Sequence, residues 1–222
     1  MSKGDLTRSR ILDEAMLLAS RAGLDGLTIG SLSDALSLSK SGLFAHFGSK
    51  EALQLAVLEH TRARFGAHLA SRMRGTGRGL ATLRTFVNAW LDWIALPELP
   101  AGCPLLGASF ELEAREGPLR DFLVKLQRDS RERILSMVQD ALDAGELRKT
   151  TDLSQLVFEL RGITLAFHQE LHVMRSPTAR KHADNAVSAL VERYLAAKPL
   201  ARVRRGRAKT RPGSPRKAGQ SG

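Results

Sequence analysis

The stretch "SLSKSGLFAHFGSKE", residues 37–51, decides the fold of this chain. Ser39 is a helix N-cap, and the helix it opens, Lys40 to Phe47, is barely two turns long before Gly48 stops it. Ser49 caps the next helix, with Glu51 in a first turn where negative charge suits the helix dipole. So short a helix cannot hold a core alone. Upstream, Thr28 caps another short helix that buries Ile29, Leu32, Ala35 and Leu36, and Ser37-Leu38-Ser39 is the turn between the two. The pair must lean on a first helix, whose stripe of Ile11, Leu12, Ala15, Leu18, Ala19 and Ala22 opens near Asp5 or Thr7 and closes at Gly23. This is a helix-turn-helix. Leu43 and Phe47, four apart, anchor its second helix, while Lys40, Ser41, Gly42, Phe44 and His46 occupy the remaining arc. In such a unit that arc enters the DNA major groove, and a glycine lets backbone and groove approach closely.

From residue 5 to 197 the apolar residues recur at three- and four-residue intervals, so the fold class is all-α. Beyond "RGTGRG", residues 74–79, longer helices are expected at about 78–96, 103–116, 118–144, 152–174 and 177–197. The expected architecture is an N-terminal three-helix helix-turn-helix domain, 1–48, followed by a helical bundle for ligand binding and dimerisation, 49–198, and a tail, 199–222. No internal repeat points to a solenoid.

The net charge of +11 is unevenly spread: eight positive charges lie in the tail "RVRRGRAKTRPGSPRKAGQSG", which leaves +3 for residues 1–201. Like charges mixed with Gly, Pro and Ser predict a disordered tail, either a solubilising end or an extra, sequence-independent attraction to phosphates. Residues 1–64 hold eight basic and seven acidic side chains, so DNA binding there requires Lys3, Arg8, Lys40 and Lys50 to share a face. No apolar run is long enough for a membrane helix and no signal-peptide pattern opens the chain, which predicts a cytoplasmic protein without a membrane partner. A single cysteine, Cys103, excludes an internal disulfide.

The segment "LTIGSLSDALSLSKSGLFAHFGSKEAL", residues 27–53, resembles the TetR family of bacterial transcriptional regulators: a capped second helix, a short recognition helix ending in aromatic-x-x-Phe, then Ser-Lys-Glu-x-Leu. The resemblance implies a homodimer on a pseudo-palindromic operator of double-stranded DNA, with a small-molecule effector bound in the larger domain. It implies that Thr28 faces phosphate and that Lys40, Ser41 and Gly42, behind the cap Ser39, open the recognition helix. His46 would touch bases or backbone, and Lys50 a phosphate. The chain departs from the family's pattern at three places: Phe44 lacks the usual tyrosine hydroxyl, Ser37 replaces a turn glycine, and Ser33 replaces a small alanine, so that its hydroxyl needs a backbone partner.

For the larger domain, Trp90, Trp93, Phe110, Phe158 and His168 are the candidate ligand-binding residues, since effector sites in helical bundles are mostly apolar with a few polar groups. The same residues would also serve as plain core. His168 and His172 have a zinc-compatible spacing, but Glu170 falls on another helix face, so no metal and no cofactor is expected. The last two helices are expected to form the dimer interface, with Leu153, Leu156, Val157, Leu160, Ile163, Leu165 and Phe167 on the first and Ala186, Ala189, Leu190, Arg193 and Tyr194 on the second. No nucleophile with its base, facing carboxylate pair or Walker loop is present, so the chain does not read as an enzyme. The leading reading is a ligand-responsive repressor released from its operator by a small molecule. The alternative is a histone-like DNA coater driven by the tail.

Overall fold

The computed structural model describes residues 3–196; the basic tail, 199–222, lies outside them, as does the side chain of Lys3. Among the described residues the regular secondary structure is helical, with one isolated antiparallel bridge, Leu147 to Leu195. The head comprises α1 (Lys3–Gly26), α2 (Ile29–Leu36) and α3 (Lys40–Phe47). Next come α4 (Lys50–Arg72), α5 (Leu80–Ile94), α6 (Pro104–Glu111), α7 (Pro118–Asp143), α8 (Leu153–His168) and α9 (Ala179–Tyr194).

Each boundary in the head has a local cause. Helix α1 breaks at Gly23, whose φ of 74° and ψ of 170° end the helical run. Thr28 caps α2 in a reciprocal box with Ser31, Ser39 caps α3 and Ser49 caps α4, as their residue types predict. Ser37 adopts the left-handed conformation, φ 52° and ψ 39°. Ala35, expected inside, is exposed, and Ser33 is buried in its place. The Ser33 hydroxyl donates to the Leu38 carbonyl at 2.6 Å, so the polar atom is satisfied and stitches the turn.

The head is not a closed unit. Its core of Ile11, Ala15, Leu24, Leu32, Leu43, Leu53 and Val57 continues into Trp93, Leu105, Ala108 and Leu123 of α5, α6 and α7. A second core, around Leu83, Phe86, Ile134, Val138, Leu160 and Phe167, fills the far end of the bundle. Helix α6 is shorter than expected, ending at Glu111 because the chain turns there toward α7. Helix α8 gives way to a π-helical turn at Gln169–Val173. Leu156, Val157, Leu160 and Phe167 of α8 and Leu190 of α9, read from sequence as a dimer face, are buried inside this chain. Leu165 of the same set is 42% exposed, and the outward face of α8 also carries Phe158, 73% exposed.

A left-handed serine costs about 1 kcal/mol. Ser37→Gly is therefore expected to leave the melting temperature unchanged or raise it by up to about 4 °C; a fall in calorimetry would contradict the turn geometry.

Candidate nucleic-acid interface and internal cavity

Helix α3 is divided sharply by burial. Leu43 and Phe47 are buried, while Lys40, Ser41, Gly42, Phe44, Ala45 and His46 are exposed. Phe44 presents a bare ring, 57% exposed, on that surface. The guanidinium of Arg8 lies over the Phe47 ring, 5.2 Å from its centroid, fixing α3 to α1. Of the sequence-selected residues, Lys40, Ser41, Phe44 and His46 stand together on this surface.

The other four have local duties. The Ser39 hydroxyl accepts from the Gly42 amide at 3.1 Å, and a Cβ at Gly42 would sit 3.0 Å from that oxygen. Glycine here leaves room for the cap, a reason the sequence pattern does not display. Thr28 accepts from the Ser31 amide at 2.9 Å. Lys50 donates through Nζ to the Asp25 carbonyl at 2.8 Å, which turns it toward the end of α1.

The segment after Gly23 is held from two sides. From α6, the Glu111 carboxylate accepts from the amides of Leu24 at 3.0 Å and Asp25 at 2.9 Å, and Arg115 just beyond α6 pairs with the Asp25 carboxylate. That guanidinium holds the Asp25 carboxyl below its usual range. From α4, Gln54 donates to the Leu24 carbonyl at 2.6 Å. A Cβ at Gly23 would meet Glu111 Oε1 at 2.9 Å, so a side chain there is opposed by both the φ and the clasp.

In the bundle, a cavity of about 300 Å³ opens between α4, α5, α6, α7 and α8. Trp90, Trp93 and Phe110 line it, with Phe65, Leu105 and Leu106. Phe65 packs against Trp90 and Trp93 with ring centroids 6.3 and 5.4 Å apart. Phe158 and His168 are not in this wall: Phe158 points outward, and His168 is packed under Gly102. Gly102 has a φ of 96°, and a Cβ on it would sit 2.2 Å from His168 Nε2. His172 donates through Nε2 to the Ile94 carbonyl at 2.8 Å. Among the described residues no group of three or more His, Cys, Asp or Glu could hold a metal ion.

The polar wall was not anticipated from sequence. Arg161 donates to Gln127 at 2.7 Å, and Gln127 reaches Ser109 at 3.4 Å, a bridge from α8 through α7 to α6. Its sequence signal was a lone arginine within "LVFELRGITLAF", residues 156–167.

Two outcomes follow from these contacts. Gly23→Ala should lower stability by about 1–3 kcal/mol in denaturant unfolding, and by less when Glu111 is also alanine, because the clash partner is gone. Burial, and then the neighbouring His172, lower the His168 pKa to about 4. The unfolded chain therefore takes up this proton near pH 6.5 while the fold refuses it. Stability should fall as pH drops from about 6.5 toward about 4, and His168→Gln should flatten that slope in a melting series.

Residues 11–57 match the family described as bacterial regulatory proteins, tetR family, and residues 79–187 match the tetracyclin repressor-like C-terminal domain. No curated protein matches the chain in sequence. A TetR transcriptional regulator from Chloroflexus aurantiacus J-10-FL shares the fold with a TM-score of 0.79 and 25% identity, over 88% of this chain and 98% of its own. A TetR-family regulator from Cytophaga hutchinsonii gives 0.77 and 17% over 89% and 99%. AibR, solved in complex with isovaleryl coenzyme A and operator DNA, gives 0.65 and 19% over 85% and 98%. Matched in its head and in its body by the same family, this chain belongs to the TetR family of bacterial regulatory proteins.

Proposed function

We propose that this protein is a repressor that binds a pseudo-palindromic operator as a homodimer and releases it when a small molecule fills the bundle cavity. The observation that carries this reading is the double duty of α6. One face, with Leu105, Leu106, Ser109 and Phe110, walls the cavity, while Glu111 at its end grips the backbone of α1. A ligand that displaces α6 must therefore move the head or break the clasp. Helix α4 is a second link, since Phe65 touches the cavity tryptophans and Gln54 holds the same turn. Rigid shifts of this kind alter the spacing of two heads on adjacent half-sites. AibR, with the same fold, was solved with both a small molecule and operator DNA, which supports the pairing of the two functions.

In this reading residues 1–48 read DNA through Lys40, Ser41, Phe44 and His46. Thr28, Ser39 and Gly42 set the attitude of α3, and Lys50 reaches a phosphate only by leaving Asp25. Phe44 has no hydroxyl for a phosphate, so its ring serves an apolar contact such as a thymine methyl. Residues 49–198 bind the effector and dimerise through the outward faces of α8 and α9, where Phe158, Leu165, Ala186 and Ala189 are exposed. The basic residues of 199–222 add attraction to any DNA. No helix among the described residues is long and apolar enough to cross a membrane, in keeping with a cytoplasmic regulator.

The test is binding to the DNA upstream of the protein's own gene and to a shuffled duplex, across a salt series, for the whole chain and for a chain ending at Leu200. Both forms are expected to discriminate by about 10³ or more. Lys40→Ala with His46→Ala should abolish that ratio without shifting the melting temperature, since both side chains are exposed. Equal, weak binding of the shortened chain to both duplexes would favour a coater driven by the tail.

A further inference from the structure

The tryptophan-walled cavity has a neighbour. A recess of about 360 Å³ lies beside it, and the two share Ser109, Gln127 and Arg161 in their linings. The first is otherwise mostly apolar, with the hydroxyls of Ser130 and Thr164 but no further charge. The second carries Arg120, Arg128 and Arg131, with Glu113 as its one acid. Arg120, Gln127, Arg128 and Arg131 recur along one side of α7 at helical spacing, and Arg161 joins them from α8.

What sets this cluster apart is the seat of Arg161, at the seam with the apolar cavity and without an acid. Arg64, Arg72, Arg78, Arg115, Arg180 and Arg193 each make an ion pair. Among the described residues, none of Arg120, Arg128, Arg131 and Arg161 has a carboxylate within ion-pair distance. Arg161 is half-buried, and its one hydrogen bond goes to a neutral amide oxygen, that of Gln127. A guanidinium has five donors. Burial, and then the charge of Arg131, hold Arg161 below its ordinary pKa, which means that both desolvation and like-charge repulsion are unrelieved. A solvated basic face on α7 alone would need no such arginine from a second helix, placed at the seam with an apolar chamber.

We propose that the effector is an amphipathic anion, whose apolar part fills the tryptophan-walled cavity and whose anionic headgroup is bound by Arg161 and the adjoining basic recess. This rests on the ligand-responsive reading above and adds the chemical class. Arginine forks suit carboxylate and phosphate alike, so two sources share the chemistry: a free acyl carboxylate and an acyl thioester of a phosphorylated carrier.

The probes are octanoate, octanoyl-coenzyme A and 1-octanol, titrated into the whole protein. The chain's two tryptophans both face the cavity and report occupancy by their emission. Either anion is expected to bind at least tenfold more tightly than octanol, and Arg161→Gln should erase that advantage while leaving octanol unaffected. Preference for octanoyl-coenzyme A, lost in an Arg128→Ala/Arg131→Ala variant that changes only exposed side chains, assigns the headgroup to phosphates. Preference for octanoate, lost in Arg161→Gln, assigns it to a carboxylate. Octanol binding as tightly as both anions, or anion affinity indifferent to Arg161→Gln, would overturn the proposal. Operator binding measured beside it separates the two readings: an anion that occupies the cavity without releasing DNA removes the regulatory reading and keeps this one, and octanol that both binds and releases DNA does the reverse.

Discussion

Two backbone amides and one carboxylate hold this molecule's two ends in register. The peptide groups of Leu24 and Asp25 follow a glycine break, where the helix no longer supplies partners, and all four of their polar atoms are taken by side chains from elsewhere. Glu111 accepts from both amides, Gln54 donates to one carbonyl and Lys50 to the other. The Leu24 bond to Glu111 is part-buried and the Asp25 bond exposed, so water competes for the clasp on its outer side.

Its position also explains why the head has no core boundary of its own. Helices α2 and α3 are eight residues each, too short to be stable without tertiary support. They rest on α1 and α4, which in turn rest on α6 and the start of α7. Ser20 adds a hydrogen bond to the Gly102 carbonyl at 2.8 Å, joining α1 to the loop that roofs His168. The arrangement ties the head to the floor of the cavity by several polar contacts of high sequence separation, and the apolar core fills the space between them.

What could be read in the sequence was local. Thr28, Ser39 and Ser49 announce helix starts through hydroxyls that bond within three residues, and Leu43 with Phe47 announces a buried face through spacing alone. The all-helical class and the membership of the TetR family were legible for the same reason. Trp90 and Trp93 line the cavity as bulky aromatics that favour the interior of a helical bundle, whereas Phe110 lines it while 53% exposed. Phe158 obeys the same rule in sequence but faces outward, since the orientation of α8 is set by its packing on α7 and α9. Glu111, Gln127 and Arg161 act across 87, 18 and 34 residues of chain, and nothing periodic in sequence marks such distances.

The burial pattern of α3 separates what seats the helix from what it displays. Two side chains, Leu43 and Phe47, fasten the helix, and the six others are solvent-facing with no part in the core. Substitutions on that outer arc are close to silent for folding, apart from the glycine that shelters its cap. Lys40, Ser41, Phe44 and His46 can therefore be exchanged without disturbing the seat of the helix, so the surface it displays is free to vary while its anchorage is not.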